Sequence, residues 1–430
     1  MQSKQSPIRW VPSAYFAMGL PFVAISLAAV IMFDDLGMSK AKVTFWTSLF
    51  ILPYSLKFIW SPLLEIYLTK KKFVLICQML TAVCFGLVAA CLPLQGGLIY
   101  AIALMCVIGL SGATNDIATD GIYLTALDKK TQATYIGWQG AFYNLAKVLV
   151  NGGLVYLAGV LMKHFASTHP QSAPLYAWMI IMLLISAVMF GVAIFHYAVL
   201  PQGDKQADAP ANFAVAMISL WSVIKDFFTK RYIGVYILFI ICYRLTEGLA
   251  VKMVPLFLKS SLGEGGLGLQ NEQIGLIYGT LGTVAFIVGS ILGGYYIARF
   301  TLRRTLLSLV AIFNVPFAIY YAFALFQPSS LTVIAVGLVT EYFCYGFGFV
   351  GLSLFMMQQV APGKHPMAHY AFASAIMNFG FMFAGMASGA IYEHLGYKYF
   401  FLLALLLSIP AFILAATLKF AHSDNEQSQN

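Results

Sequence analysis

Charge is what this chain has least of. Of its 430 residues only 10% are Asp, Glu, Lys or Arg, against roughly 25% in an ordinary soluble domain. That is too little to cover a water-facing surface, which excludes a soluble enzyme. Long polar stretches are equally scarce, the one extended interruption running from residue 201 to 231. The patterns of metal and redox chemistry are missing as well. The six cysteines (Cys77, Cys84, Cys91, Cys106, Cys242 and Cys344) all lie within apolar runs, and no CxxC, HExxH, GxSxG or P-loop spacing occurs. No disulfide, metal site, cofactor or catalytic constellation is expected, and the chain does not read as an enzyme. Of the histidines, His196 and His369 fall near the ends of apolar runs and read as interfacial; the others lie in loops, helix ends or the tail.

Hydrophobic residues make up 60% of the chain, aromatics 15%, and 36 residues are glycine; mean hydropathy is +0.83. A helix needs about 20 apolar residues to cross a bilayer. That ruler gives spans at 10–33, 43–66, 73–93, 98–127, 134–162 and 175–200, then at 232–258, 273–298, 305–326, 331–360, 367–392 and 398–420. The expected fold is an all-α membrane protein of twelve transmembrane helices. Lys4 and Arg9 precede the first run, which is too long for a signal-peptide core and has no small-x-small cleavage pattern, so it reads as a retained first helix. The expected organisation is an N-terminal six-helix bundle (1–200), a cytoplasmic linker (201–231), a C-terminal six-helix bundle (232–420) and a cytoplasmic tail (421–430). Within the linker, Phe213 to Lys230 reads as an amphipathic helix on the cytoplasmic face.

The net charge of +9 comes in short clusters between apolar runs, which argues against nucleic acid as a partner. Lys70–Lys72, Lys129/Lys130, Lys230/Arg231 and Arg299/Arg303/Arg304 all fall in alternate connections. Assigning Lys and Arg to connections, adjoining span ends and tails puts sixteen in those connections and the tails, against five in the others (Lys40, Lys42, Lys163, Lys259 and Lys398). The positive-inside rule then places both termini in the cytoplasm. The halves also repeat: Lys70/Lys71 and Arg303/Arg304 stand 233 positions apart, each pair just after a helix end. Duplicated six-helix halves joined by a cytoplasmic loop describe the major facilitator architecture.

Charges inside a bilayer cost about 2.5–3.5 kcal/mol each on insertion scales, so each needs a reason. Lys57, Asp116, Asp120, Lys147, Arg244, Glu247 and Glu341 all fall within spans. Asp116 and Asp120 lie i, i+4 on one helical face beside Asn115 and Thr119; two carboxylates so placed repel, which suits a proton carrier. A static ion pair with Lys57, or solvation of Asp120 at the cytoplasmic end, is the alternative. Arg244 and Glu247 are spaced i, i+3. They either neutralise each other or leave the guanidinium for an anionic substrate group, whose geometry its fork matches. Glu341 has no charged neighbour in sequence, so it is a second candidate for protonation or a bridge to Arg244 or Lys147. Lys147, Asn144 and Asn151 make a polar stripe suited to substrate contact or to packing, and Lys252 is expected to snorkel outward.

Several of these segments resemble a known family. Tyr54-Ser55-Leu56-Lys57-Phe58-Ile59-Trp60-Ser61-Pro62-Leu63-Leu64-Glu65 is similar to the second-helix signature of AmpG-type permeases, in the peptide–acetyl-coenzyme A transporter branch of the major facilitator superfamily. Ser111-Gly112-Ala113-Thr114-Asn115-Asp116-Ile117-Ala118-Thr119-Asp120 resembles its fourth-helix motif, and Tyr243-Arg244-Leu245-Thr246-Glu247 its seventh. Glu341 to Gly348 and Ala368-His369-Tyr370-Ala371 resemble its tenth and eleventh helices. Tyr143-Asn144-Leu145-Ala146-Lys147 departs from the pattern, lacking an arginine soon after the tyrosine. The resemblance implies proton-driven import across the bacterial inner membrane of a small anionic solute such as an anhydro-muropeptide, by a protein acting as a monomer. Siderophore or acetyl-coenzyme A transport, found in related branches, is the alternative. On this reading Asp116, Asp120, Lys57 and Glu341 serve proton coupling or gating, and Arg244, Glu247, Lys147, Asn144 and Asn115 bind substrate.

The orientation is open to direct test. A green fluorescent protein fused after Asn430 should fluoresce, whereas alkaline phosphatase at the same point should be inactive; the reverse pair of results would overturn the charge count.

Overall fold

Lipid offers no hydrogen bonds, so a chain this apolar must satisfy its backbone within each spanning segment, and the helix does that locally. The computed structural model describes residues 6–60, 64, 69–127, 129–202, 213–363 and 366–421, and no strand occurs among them. Ser61, Pro62, Leu63 and Glu65 of the second-helix motif, residues 203–212 of the linker and residues 422–430 of the tail lie outside the described residues.

In chain order the helices are α1 (Val11–Val23), α2 (Ala29–Asp35), α3 (Lys40–Leu49), α4 (Leu52–Leu56), α5 (Lys70–Cys91), α6 (Gly97–Ala126), α7 (Lys129–Lys147), α8 (Val155–Ala166) and α9 (Ala173–Val199). Then follow α10 (Phe213–Phe228), α11 (Ile233–Lys259), α12 (Asn271–Ile274), α13 (Gly282–Phe300), α14 (Leu302–Phe326), α15 (Leu331–Phe355), α16 (Pro366–Leu407) and α17 (Ile409–Thr417). Four wider π-turns, at Ala24–Ala28, Val148–Leu154, Gly275–Leu281 and Met356–Val360, interrupt spans without ending them. Hydropathy gives no warning of such turns, which add a residue without changing composition.

Ten described segments are long and apolar enough to cross a membrane, from Pro7–Asp35 to Ala368–Thr417. Two places account for the difference from twelve. Where one continuous helix is expected at 43–66, the chain instead forms α3, α4 and a 3₁₀ turn at Lys57–Ile59. Pro53 lies in the first turn of α4 and has no N–H to continue the preceding helix. The segments expected at 367–392 and 398–420 run together over the 50 residues of Ala368–Thr417. Gly396, at φ +67° and ψ 170°, breaks the helical path between them; a residue without Cβ adopts this conformation at little cost.

The chain forms two compact units: Met1–Met38 with Leu49–Met217, and Ser39–Ser48 with Ile218–Asn430. Nothing in the sequence separates 39–48 from its neighbours, yet this short stretch belongs with the second unit. The reason is close packing against α16. An ideal Cβ at Gly389 would stand 2.4 Å from Thr44 Oγ1 and 2.5 Å from the Lys40 carbonyl, and one at Gly385 would stand 2.5 Å from Ser48 Oγ. Gly385 and Gly389 thus form a small-xxx-small face that lets α3 approach the backbone of α16. Hydrogen bonds complete the seam: Gly389 N donates to Thr44 Oγ1 at 3.1 Å, and Ala41 N to Glu393 Oε1 at 3.2 Å. Lys252 corrects an expectation. It does not snorkel: it is 1% exposed, and its Nζ donates to the Thr47 carbonyl at 3.2 Å, because its side of α11 faces this seam.

Two glycine substitutions should therefore differ in sign. Gly389→Ala forces a methyl into occupied space and should lower stability by about 1–3 kcal/mol, the usual overpacking cost. Gly294→Ala, where an added Cβ meets nothing within 4 Å, should be neutral or gain about 0.5–1 kcal/mol. Thermal unfolding of the purified protein in detergent distinguishes them, and equal effects would show that the seam is loose.

Candidate functional site

Each unit contains a cluster of one cation and two carboxylates: in the second all three are buried, whereas in the first Asp116 is buried and Lys57 and Asp120 are half-buried. In the first, Lys57 sits in the 3₁₀ turn that follows α4, where the helix has already broken and its side chain can reach across to α6. Its ammonium donates to Asp116 Oδ2 and forms an ion pair with it. One turn further along α6, Asp120 Oδ1 accepts from the Tyr15 hydroxyl of α1 at 2.8 Å. The i, i+4 spacing thus places both carboxylates on one face, and one partner comes from each of two other elements. The pairing left open by the sequence is present for Asp116.

A polar chain runs behind this cluster. Asn115 Oδ1 accepts from Gln78 Nε2 at 3.4 Å; Gln78 Oε1 accepts from His196 Nδ1 at 2.8 Å; His196 Nε2 lies 2.9 Å from Ser13 Oγ. The chain joins α6, α5, α9 and α1 through groups whose exposure is 0% for both Gln78 and His196. His196 is therefore a core residue, contrary to its interfacial reading. Distance from a helix end says where a residue sits along the axis, and burial depends on which face it occupies. The available signal was Gln78, an uncharged polar side chain within an apolar run, which in lipid requires a partner.

Asn144 and Lys147 lie on α7 of the same unit. Asn144 Nδ2 donates back to the Gly140 carbonyl at 2.8 Å, while its Oδ1 is buried without a hydrogen bond. Lys147 holds its Nζ 5.4 Å from the Tyr143 ring centroid, immediately before the π-turn at Val148–Leu154.

In the second unit Arg244 Nε and Glu247 Oε2 of α11 stand 2.6 Å apart. The guanidinium carbon also lies 5.1 Å from the Phe349 ring centroid and 4.7 Å from that of Phe381, so the planar cation is held between rings of α15 and α16. Such contacts are worth about 0.5–2 kcal/mol each, more as water is excluded. Arg244 and Glu247 are each 7% exposed and Glu341 is 8% exposed. Glu341, on α15, lines one small cavity with Glu247; Tyr278, Tyr320, Tyr342 and Tyr345 close around them. Its volume of about 40 Å³ holds about two or three waters, far short of the roughly 300 Å³ at which small-molecule sites begin. Among the described residues Glu341 forms no ion pair, and its Oε2 is buried without a hydrogen bond. The bridge from Glu341 to Arg244 is thus not formed, and Glu247 takes that place. The structure brings together Lys57, Asp116, Asp120 and Asn115 in one unit and Arg244, Glu247 and Glu341 in the other.

The chemical content of the two clusters is the same. Counted with every acid ionised, each carries one positive and two negative charges, a net deficit of one that a low-dielectric interior penalises. A single proton on either carboxylate removes it.

Comparison with known proteins agrees with this architecture. The model of the Major Facilitator Superfamily matches residues 13–365 and 246–430. The chain is 25% identical over 411 residues to the anhydromuropeptide permease of Escherichia coli strain K12, covering 93% of this chain and 77% of that protein. It is 21% identical over 407 residues to the putative transporter AmpG 4 of Rickettsia conorii, covering 91% and 92%. Among solved structures, a mutant form of the nucleoside transporter NupG superposes with TM-score 0.70 at 13% identity, covering 96% of this chain and 99% of that one. A bacterial homologue of the human lysosomal transporter Spinster, in an inward-facing and unoccupied conformation, superposes with TM-score 0.69 at 14% identity, covering 97% and 96%. The family match, the helical spans and these structural likenesses lead to one assignment: the chain is a multi-pass membrane protein of the Major Facilitator Superfamily.

Proposed function

We propose that this protein is a proton-coupled importer of small anionic solutes of the anhydromuropeptide class, acting as a monomer in the bacterial inner membrane with both termini in the cytoplasm. The observation that carries this reading is the recurrence, in each unit, of one cation with two carboxylates, all three buried in the second unit and Asp116 buried with Lys57 and Asp120 half-buried in the first. A scaffold has no use for a net charge deficit held in lipid; a symporter uses it to take up a proton. The similarity to a protein named anhydromuropeptide permease over 93% of the chain supports the solute class.

In this reading transport proceeds by alternating access, the general mechanism of such folds. Arg244 is held by Glu247 while no solute is present. A proton delivered to the Glu247–Glu341 pair loosens that hold, and a solute carboxylate takes the freed guanidinium as a bidentate partner. Lys147, Asn144 and Asn115 are the polar residues of the first unit assigned to solute, and Lys57, Asp116 and Asp120 gate that unit through their own proton. Uptake and the proton gradient are linked because the same cation cannot serve solute and unprotonated Glu247 together.

Counterflow in proteoliposomes tests the solute class. Internal anhydro-muropeptide should accelerate entry of the labelled compound, while siderophores and coenzyme A thioesters should not; acceleration by either of those alone would replace the proposal with the corresponding branch. Glu341→Gln should retain exchange and lose gradient-driven accumulation, whereas Arg244→Ala should weaken binding by about ten- to a hundredfold, equivalent to about 1.5–3 kcal/mol for a charge-assisted hydrogen bond. Unchanged affinity in Arg244→Ala would remove the guanidinium from the site.

The Lys57–Asp116 pair has a separate test. Breaking a fully buried pair costs about 3–5 kcal/mol because it strands the remaining charge; here the Lys57 side chain is 36% exposed, so solvent screening lowers that cost. Lys57→Met and Asp116→Asn should each reduce the folded yield, and the double variant should recover much of it. Equal damage in all three would show that the two residues act independently.

A further inference from the structure

The linker helix presents a face that the transport reading leaves unused. On α10, Ile218, Trp221 and Phe228 are 71%, 69% and 58% exposed, and Lys225 is exposed among them. Their spacing of i, i+3, i+7 and i+10 places all four along one side of the helix. The other side is fastened down. Phe227 is 1% exposed, with its ring centroid 5.8 Å from those of His369 and Phe372. Just beyond the helix, Lys230 Nζ donates to the carbonyls of Val360, Ala361 (3.2 Å) and Pro362 (2.7 Å). The orientation of the apolar stripe is thereby set by contacts within the second unit.

An open cleft of about 410 Å³ lies beside the end of this helix. Its walls include Thr229, Lys230, Arg231, Gln359 and His369, with Asp226 as the one carboxylate. Gly363, at φ +136°, keeps a corner of it clear: an ideal Cβ there would lie 3.6 Å from Lys230 Nζ and 4.0 Å from His369 Nδ1. Burial pushes the Lys230 ammonium down to about 8, which still leaves it largely charged at neutral pH. Cations therefore outnumber anions at this end of the helix, counting Lys225, Lys230 and Arg231 against Asp226.

We propose that the exposed face of α10 and the adjoining basic cleft form one docking site for an anionic phospholipid of the cytoplasmic leaflet. The apolar stripe enters the headgroup boundary, where Trp is favoured, and the cleft receives the lipid phosphate through Arg231 and the field of Lys230. The charge pattern commits the occupant: a basic rim beside an apolar stripe matches a negatively charged leaflet that carries acyl chains behind its phosphates. The site uses none of the residues assigned to solute or proton, so it stands independently of the transported compound.

The test uses the full-length protein in nanodiscs of phosphatidylcholine with and without phosphatidylglycerol. The fluorescence difference between wild type and Trp221→Phe isolates Trp221 from the other tryptophans. That signal should be quenched by lipids brominated close to the headgroup and protected from aqueous iodide. Quenching by iodide instead, or by neither agent, would overturn the proposal in favour of a solvent-facing or protein-covered helix. Native mass spectrometry reads the charge requirement. Lys225→Gln and Arg231→Gln should each lower the preference for phosphatidylglycerol over phosphatidylcholine by about fivefold, the effect of one basic side chain at an anionic surface. No change in either variant, or displacement of the bound lipid by inorganic phosphate alone, would reject a phospholipid as the occupant.

Discussion

The cost of an unsolvated polar group in hydrocarbon governs this protein at every scale. It forces the backbone into helices, whose hydrogen bonds are closed within each segment. It also decides which side chains need partners. Asp116 is answered by Lys57, Asp120 by Tyr15 and Arg244 by Glu247, while Gln78 and His196 complete one another in a buried chain. Each of these polar groups is expensive alone, and pairing removes most of the cost without restoring what water would give.

The pairing is incomplete in one respect. One cation cannot neutralise two carboxylates, so with every acid ionised both clusters keep a residual negative charge that a proton cancels. Glu341 illustrates the point: it shares a cavity of about 40 Å³ with Glu247, enclosed mainly by aromatic rings. Such a space has room for a few waters and not for a larger solute.

Close approach between helices is the second consequence of the same solvent. Lipid tails are as apolar as leucine, so helices are not driven together by hydrophobic burial and depend on contact and hydrogen bonding. Gly385 and Gly389 remove the side chains that would hold α3 away from α16, and Lys252 then finds a carbonyl within the seam. The short stretch 39–48 accordingly belongs to the second unit although the chain on both sides of it belongs to the first.

Composition and periodic runs of apolar residues determined the solvent, the helical class and most span positions. These depend on local quantities: the hydropathy of about twenty consecutive residues, and the presence of charge among them. The candidate residues were legible for the same reason, since a charge such as Asp116 or Glu341 in an apolar run is conspicuous by itself. Which charges meet was not legible. Arg244 had Glu247 and Glu341 as possible partners, and the i, i+3 pairing with Glu247 prevails because α11 carries both residues on one face. The burial of His196 and Lys252, the break at Lys57–Ile59 and the π-turns were equally hidden. Each depends on the rotation of one helix against its neighbours, which no single segment contains. Only tertiary packing selects a face, and in lipid the face decides whether a polar side chain is paired, stranded or free to bind.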